Sequence, residues 1–520
     1  NQNQTDMEHL KIWKYLSIPW IVASLLFFIT FLILAFFQEV SDIFLTSSLI
    51  LRLLINTISL TILVGFFTFI IAAPFALLTS LYKFPGHRFF SWSLSLPLVF
   101  PAYIYAFIFV GGLEYSGPIA TWLREFNIII PSIRNILGAS LIMSLSLYPY
   151  IFLLMKAQIR HTGIPIFKAA KTLGKSDITV IKTILLPSLK PSIIAGMILA
   201  MLETLADFGG VSTLRIETFT VAIYNAWFGY QDYYSGARLA GILFIFVMLL
   251  VLLSKNLTDS RKIGSISNDI FEKISLRTST GFLCSFLCLF LLLISFVFPL
   301  IQLIIWSDLG ITFFSSKNIT LFLNSGFLGL ISALIICFIA LALSLAYIGS
   351  SKMKGFISAS SMGYAMPGSV IAVGLLIVIN EIFGISITSL GMLGLIIALS
   401  IRFITPAFQY LVSASKNISE SNIKAITTLP NNPLKAFRSL YFPALKPALF
   451  VAFLVVFIEV VKEQPATLIL RPVGFETLSS KIYNFTSEGQ WELAANPSLL
   501  LVLLSFILVY FLNKKLDGDK

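Results

Sequence analysis

The sequence predicts an all-α integral membrane protein with about twelve transmembrane helices in two tandem six-helix domains. Composition is the first reason: the 520 residues are 57% hydrophobic and only 12% charged, whereas soluble proteins carry roughly 25% charged residues. Apolar runs of spanning length are the second, since a transmembrane helix needs roughly 20 apolar residues. An internal repeat is the third, and it divides the apolar runs evenly.

The first apolar run covers residues 17–37 and contains no charged residue. It has full spanning length and no small-residue cleavage site, so we expect it to remain as an anchor and not to be removed as a signal peptide. Further candidate spans lie at 52–81, 91–112, 135–155, 191–212 and 237–254, and then at 282–306, 321–349, 356–380, 391–414, 447–470 and 498–512. Each half therefore contains about six spans.

The repeat appears when residues 167–215 are aligned with 423–471. Glu203 then falls on Glu459, and Asp207 falls on Glu463. Because both halves have the same predicted topology, the repeat is parallel, with an axis along the membrane normal. The predicted divisions are a cytoplasmic tail (1–16), a first domain (17–254), a linker (255–277), a second domain (278–513) and a second tail (514–520).

The net charge of +12 is explained by membrane topology. Most of the 36 Lys and Arg residues fall in segments that share one side of the membrane if the N-terminus is cytoplasmic. The positive-inside rule then places both termini in the cytoplasm. The predicted partner is the lipid bilayer, and no nucleic acid is expected.

Each half carries one long basic loop between its fourth and fifth spans, at 156–190 and 415–446. In the first loop we predict a short amphipathic helix that ends at Gly174, and a second segment that leads to Pro187. A short basic helix facing the cytoplasm is a docking surface. Gly174-Lys175-Ser176 would end a phosphate-binding loop, but Ala169 stands where that motif needs its first glycine, so we expect no nucleotide site in this chain.

The first loop resembles the signature of ABC-importer permeases, in which Glu-Ala-Ala is followed by a Gly and then by Leu-Pro. The matching positions are Lys168, Ala169, Ala170, Gly174 and Pro187, and in the second copy Lys424, Ala425, Ile426, Pro430 and Pro443. Lys168 and Lys424 replace the family's Glu, and Pro430 replaces its Gly. These departures change which ATPase groups could pair with the loops.

The resemblance implies a type I importer permease in the bacterial inner membrane. Its two loops would dock two copies of an ABC ATPase subunit, which bind ATP and Mg²⁺. The chain itself would be a transport subunit, not an enzyme, and would bind no cofactor.

Three further stretches, 203–209, 223–229 and 461–472, resemble the fused permeases of ferric-iron ABC importers. This resemblance implies that a periplasmic binding protein delivers iron(III) as the transported substrate. Two alternatives stay open. One is the same machine with another solute, such as thiamine, an anion or a polyamine. The other is a secondary transporter that needs no ATPase.

Two acidic residues near the fifth span of each half, four in all, are the candidate translocation pathway. They are Glu203, Asp207, Glu459 and Glu463. The spacing of four places both acids of a pair on one helix face. Buried carboxylates in membranes usually face a water-filled path, and a hard cation such as iron(III) favours oxygen ligands, here as transient contacts. The structural alternative is that Lys462 and Arg402 neutralise two of these acids in helix-packing ion pairs.

Polar residues beside these spans have simpler expected roles. Arg215 and Arg471 could dock an acidic face of the binding protein, or extend to the membrane interface. Asn56 and Thr204 are expected to make hydrogen bonds between helices.

Overall fold

The structure is a computed structural model that describes residues 10–38, 46–159, 167, 170, 176–258, 273–310, 312–385, 390–416 and 433–517. Ten helices in these ranges are long and apolar enough to cross a membrane, and two bent helix pairs bring the number to as many as twelve. The predicted all-α membrane fold is confirmed.

The helices of the first half run from α1 to α10. They are α1 (Lys11–Phe37), α2 (Ser47–Leu81), α3 (His87–Ser93), α4 (Ala102–Leu113), α5 (Pro118–Glu125), α6 (Ile136–Gln158), α7 (Asp177–Ala206), α8 (Gly209–Thr213), α9 (Phe219–Tyr224) and α10 (Tyr233–Thr258). Those of the second half are α11 (Thr278–Trp306), α12 (Ser316–Gly349), α13 (Lys354–Ser360), α14 (Gly368–Phe383), α15 (Met392–Lys416), α16 (Phe437–Lys462), α17 (Pro465–Leu470), α18 (Leu478–Ser487) and α19 (Trp491–Asp517).

The third predicted span of each half is bent. The two segments of the first, which contain α3 and α4, meet at 88°, and those of the second, which contain α13 and α14, meet at 115°. Pro101 and Pro367 stand immediately before α4 and α14. Proline has no backbone N–H and fixes φ, so it favours a break at these positions. Both bends expose backbone groups beside the seam between the halves.

The first helix of each half packs partly on the other half. α1 contacts α12 and α14 in addition to α10, and the rings of Trp13 and Phe437 lie 4.8 Å apart. In the opposite direction, α11 contacts α3, and the Ser285 hydroxyl donates to the Pro85 carbonyl over 2.7 Å. This exchange buries apolar surface between the halves, so they form one packed unit.

The fifth span of each half, α7 or α16, contains a proline near a turn of π-helix. Pro187 and Pro443 stand at the first positions after the π turns Ile181–Leu185 and Phe437–Tyr441. A π turn frees the backbone from the regular ladder, and proline then restarts α-helix without needing an N–H. The matched geometry in both halves agrees with the repeat.

The end of the linker between the halves is attached to the first half. Strand β2 (Ile274–Ser275) pairs in parallel with β1 (Tyr82–Lys83), and Lys273 Nζ lies 2.7 Å from the Thr79 carbonyl oxygen. The linker therefore returns to the end of α2 before α11 begins.

Candidate functional site

A cavity of about 100 Å³ lies at the seam between the two halves. Its walls come from the ends of α7 and α16, from both sides of the first bend, and from α6 and α15. All four predicted acids line it, together with two basic residues. The charged residues of the wall are Glu203, Asp207, Glu459, Glu463, Arg402 and Lys462. The sequence therefore predicted a set of side chains that the fold brings together.

The two acids of each half differ in local role, because the helix ends between the first acid and the second. α7 ends at Ala206, and Asp207 has an extended backbone. Asp207 Oδ2 accepts a hydrogen bond from Val211 N over 2.9 Å, which satisfies a free N–H at the start of α8. The expectation that Glu203 and Asp207 share one face of a continuous helix is therefore wrong, although both line the cavity.

Glu463 repeats this arrangement in the second half. It follows the last residue of α16, and its Oε1 accepts a hydrogen bond from Ala466 N over 3.1 Å. The second acid of each pair thus caps the short helix that comes next.

Arg402 forms a buried ion pair with Glu463. The Nη1 to Oε2 distance is 3.2 Å, and the two residues are 7% and 5% exposed. A Cβ on Gly368 would overlap both the carboxylate and the guanidinium, so the close approach of α14 depends on this glycine. One of the two ion pairs suggested as a structural alternative is therefore present.

Lys462 does not form the other ion pair. Its Nζ donates to the carbonyl oxygen of Leu98 over 2.7 Å, and Leu98 lies in the 3₁₀ turn Leu96–Val99 at the first bend. No ion pair within 4.0 Å joins Lys462 to an acid in the described part of the chain. This contact crosses the seam between the halves.

Glu203 and Glu459 are the two acids that local structure does not use as caps. Glu203 Oε1 accepts a hydrogen bond from the Tyr364 hydroxyl over 2.8 Å. Tyr364 belongs to the 3₁₀ turn Gly363–Ala365 at the second bend, so this contact also crosses the seam. Within the described ranges, Glu459 has no hydrogen bond or ion pair. These two carboxylates are the ones available to a cargo in the cavity.

Gln464 and Tyr364 are polar residues near the cavity that sequence reasoning missed. Gln464 is 2% exposed and lines the cavity, and its Nε2 donates to the Ser479 carbonyl over 3.0 Å. Its Oε1 is buried without a hydrogen-bond partner. The signal for Gln464 was its position directly after Glu463. Nothing in the local pattern pointed to Tyr364.

Tyrosines near the cavity differ in their surroundings. Tyr103 and Tyr150 line it. Tyr148 is fully buried and donates to the Leu94 carbonyl over 2.8 Å, and Tyr105 bonds to the Ser295 carbonyl. The latter two therefore serve packing.

Two asparagines near the starts of α2 and α12 make matching hydrogen bonds in the two halves. Asn56 Nδ2 donates to the Glu217 carbonyl over 3.0 Å, and Asn324 Nδ2 donates to the Glu476 carbonyl over 2.9 Å. Glu217 lies in the loop before α9, so Asn56 joins α2 to this loop and not to another helix as predicted. Thr204 instead bonds to the Ala200 carbonyl of its own helix, so its predicted interhelical bond is wrong.

An aromatic cluster packs behind Phe208, which lines the cavity. The Phe208 ring lies 4.5 Å from that of Tyr224 and 5.0 Å from that of Tyr483, measured between centroids. Tyr224 and Tyr483 are themselves 5.7 Å apart, and they come from equivalent positions in the repeat. We call these three residues the aromatic wall.

The two arginines considered for docking differ. Arg215 is exposed and has a left-handed backbone, with φ of 56°. Arg471 is half-buried and lies 3.7 Å from Glu476. Only Arg215 is fully available at the surface.

Most of the predicted loop residues lie outside the described part of the chain. They are Lys168, Ala169, Gly174, Lys424, Ala425, Ile426 and Pro430. Ala170 is 4% exposed and belongs to a second apolar cluster with Phe167, Val180 and Leu185. Pro187 and Pro443 are exposed and lie just after the π turns of α7 and α16.

In the described residues, no group of three or more His, Cys, Asp or Glu side chains is close enough to hold a metal ion. The acids of the cavity are spread over its wall and do not form a closed coordination shell. A cation would meet them as contacts along a path.

Comparison with known proteins agrees with the duplicated architecture. Residues 70–264 and 339–518 match the family described as binding-protein-dependent transport system inner membrane component. The Fe(3+)-transport system permease protein FbpB 2 of Haemophilus influenzae is 26% identical over 484 residues, 89% of this chain and 90% of that protein.

One further relative is also a ferric permease, and another is a sulfate permease. The ferric transport system permease protein FbpB of Actinobacillus pleuropneumoniae is 22% identical over 89% of this chain and 71% of its own length. The sulfate transport system permease protein CysT of Salmonella typhimurium is 25% identical over 39% of this chain and 75% of its own length. The two ferric relatives span both halves of the chain.

Proposed function

This chain belongs to the family of binding-protein-dependent transport system inner membrane components, a family of ABC-importer permeases, and we propose that its cargo is ferric iron. The chain is a multi-pass inner membrane protein with two permease domains. The alternative of a secondary transporter that works without an ATPase is therefore dropped.

One observation supports a cationic cargo above the others. Four carboxylates and two basic groups line the seam cavity, and Arg402 is neutralised by Glu463. Glu203 and Glu459 are left as a pair of oxygen-donor groups, one from each half. A hard trivalent cation favours oxygen ligands. The two ferric relatives, which cover both halves, add support.

The remaining parts of the machine are those that the resemblance to ABC-importer permeases implies. A periplasmic binding protein delivers the iron, and two copies of an ATPase subunit dock on loops 156–190 and 415–446. The basic loops and both termini face the cytoplasm, in agreement with the positive-inside rule. Arg215 is then on the periplasmic side, where it is available to an acidic face of the binding protein.

The test is iron uptake by proteoliposomes that contain the permease, its ATPase and its binding protein. We expect the double variant Glu203→Gln and Glu459→Gln to lose most uptake, because both charges that face the cargo are removed while side-chain size is kept. Normal iron uptake by this variant would refute the role of the pair.

An anion is the second candidate cargo, because Arg402 and Lys462 line the same cavity and one relative is a sulfate permease. The same vesicles, supplied with sulfate or molybdate and a cognate binding protein, distinguish the two. Under the iron proposal they take up neither anion, and Glu203→Gln with Glu459→Gln does not create such uptake.

A further inference from the structure

The two halves differ in the basic residues that they bring to the cavity, and Lys462 is one of these. In the repeat, Lys462 aligns with Ala206, and both residues line the cavity. Only the second half therefore brings an ammonium group to the seam. The first half forms the corresponding part of the wall with Ala206 and without such a charge.

The ammonium of Lys462 is held by a neutral group. Its hydrogen-bond acceptor is the Leu98 carbonyl, at 2.7 Å, whereas Arg402 is engaged by the Glu463 carboxylate. Within the described residues, no carboxylate forms a direct ion pair with Lys462. Its charge attracts the carboxylates of Glu203 and Glu459 from a longer distance. Lysine is a compact point charge on a flexible stem.

Gln464 adds a polar side chain to the cavity wall but no ligand for a cation. It lines the cavity and is 2% exposed, and its buried Oε1 packs against Gly209, where an added Cβ would overlap it. The carboxylates of Glu203 and Glu459 are therefore the groups of the cavity that suit a cation, and the ammonium of Lys462 opposes it.

We propose that Lys462 sets the affinity of the cavity for its cargo, because it keeps cation binding at Glu203 and Glu459 weak enough for the cargo to leave. This inference rests on the proposed cationic cargo and deepens it. A transport path needs binding that is favourable enough for entry and weak enough for release. A fixed positive charge beside the two carboxylates lowers the affinity for every cation at that point.

The inference is tested by binding of Mn²⁺ to the full-length permease in nanodiscs, measured by electron paramagnetic resonance. We expect Lys462→Met to bind Mn²⁺ at least about tenfold more tightly than the natural chain, because a repulsive unit charge is removed from a site of low dielectric. Lys462→Gln keeps a donor for the Leu98 carbonyl, yet should tighten binding equally. Lys462→Arg keeps the positive charge and should bind Mn²⁺ as weakly as the natural chain.

Transport supplies the second readout. In the complete iron-loaded system, Lys462→Met and Lys462→Gln should slow uptake while ATPase activity persists, since the cation leaves the cavity slowly. Unchanged Mn²⁺ affinity in both neutral variants would overturn the inference. So would tight binding in Lys462→Met with weak binding in Lys462→Gln, because the lost hydrogen bond and not the charge would then be responsible.

A separate result would refute the proposed function. If Glu203→Gln with Glu459→Gln transports iron normally, the cargo proposal is refuted whatever Lys462 does. If that variant loses uptake but the neutral Lys462 variants bind Mn²⁺ as weakly as the natural chain, only the inference about Lys462 is refuted.

Discussion

The guanidinium of Arg402 lies 3.2 Å from the carboxylate of Glu463, in a position where neither side chain is open to solvent. The pair joins α15 to the turn after α16, and Glu463 also caps α17. An acid with two local partners is committed to structure. Because Asp207 likewise accepts a hydrogen bond from Val211 N, we propose that the pathway role predicted for four acids narrows to Glu203 and Glu459.

Removing Arg402 should strongly destabilise the protein. Arg402→Met leaves the Glu463 charge buried and unpaired, and breaking one partner of such a pair costs about 3–5 kcal/mol. Thermal unfolding in detergent measures the effect. The double variant Arg402→Met with Glu463→Gln should be more stable than Arg402→Met alone, because the orphan charge is gone. Additive losses from the two changes would contradict the pairing.

Asp207 should tolerate loss of charge but not loss of its hydrogen bond. Asp207→Asn keeps an oxygen for Val211 N, so we expect most iron uptake to remain. Asp207→Ala removes the cap of α8, at a cost of about 1 kcal/mol, and should lower both the unfolding temperature and uptake. If Asp207→Asn lost uptake as completely as Glu203→Gln, Asp207 would belong to the pathway and the capping role would be secondary.

The repeat, the approximate number of spans and the set of acids at the seam could all be predicted from the sequence. The sequence was not sufficient for the separate roles of those acids, because the spacing of Glu203 and Asp207 was interpreted as a continuous helix. Local signals against that interpretation existed. Gly209 and Gly210 follow Asp207, and Pro465 follows Glu463 by two residues; both patterns favour a helix end.

Contacts across the seam could not be predicted from the chain. Lys462 meets Leu98, and Tyr364 meets Glu203, over sequence separations of 364 and 161 residues. These contacts depend on where the bends place two 3₁₀ turns, and on the exchange of α1 and α11 between the halves. Such geometry arises from packing and has no local periodicity.

The aromatic wall should have to open during transport. Tyr224 and Tyr483 come from opposite halves with ring centroids 5.7 Å apart, and both rings contact Phe208 at the cavity wall. Tyr224→Cys with Tyr483→Cys, joined by a short bis-methanethiosulfonate reagent that forms a disulfide with each thiol, should lose iron uptake. Reductant breaks these disulfides and should restore uptake.

This experiment uses a background in which Cys284, Cys288 and Cys337 are replaced by Ala. Each single cysteine variant, treated with the same reagent, controls for modification without cross-linking. If the cross-linked protein transports iron at the rate of the untreated double variant, the two tyrosines are not part of a wall that separates.

Loops 168–174 and 424–430 should carry the coupling to ATP hydrolysis. We expect replacement of both segments by Gly-Ser sequences of equal length to abolish uptake, because the ATPase subunits lose the surfaces on which they dock. The permease should still insert, since the replaced residues lie outside the apolar spans. Co-purification of the ATPase and iron uptake are measured together.

Two controls separate docking from a general loss of basic charge. The same replacement at 261–267, a segment of the linker that also contains Arg261 and Lys262, should leave the ATPase bound. Replacing one loop at a time tests the asymmetry between Gly174 and Pro430, and each single variant should retain part of the bound ATPase. Iron uptake that persists without bound ATPase would refute the coupling role, because the energy for transport would then come from elsewhere.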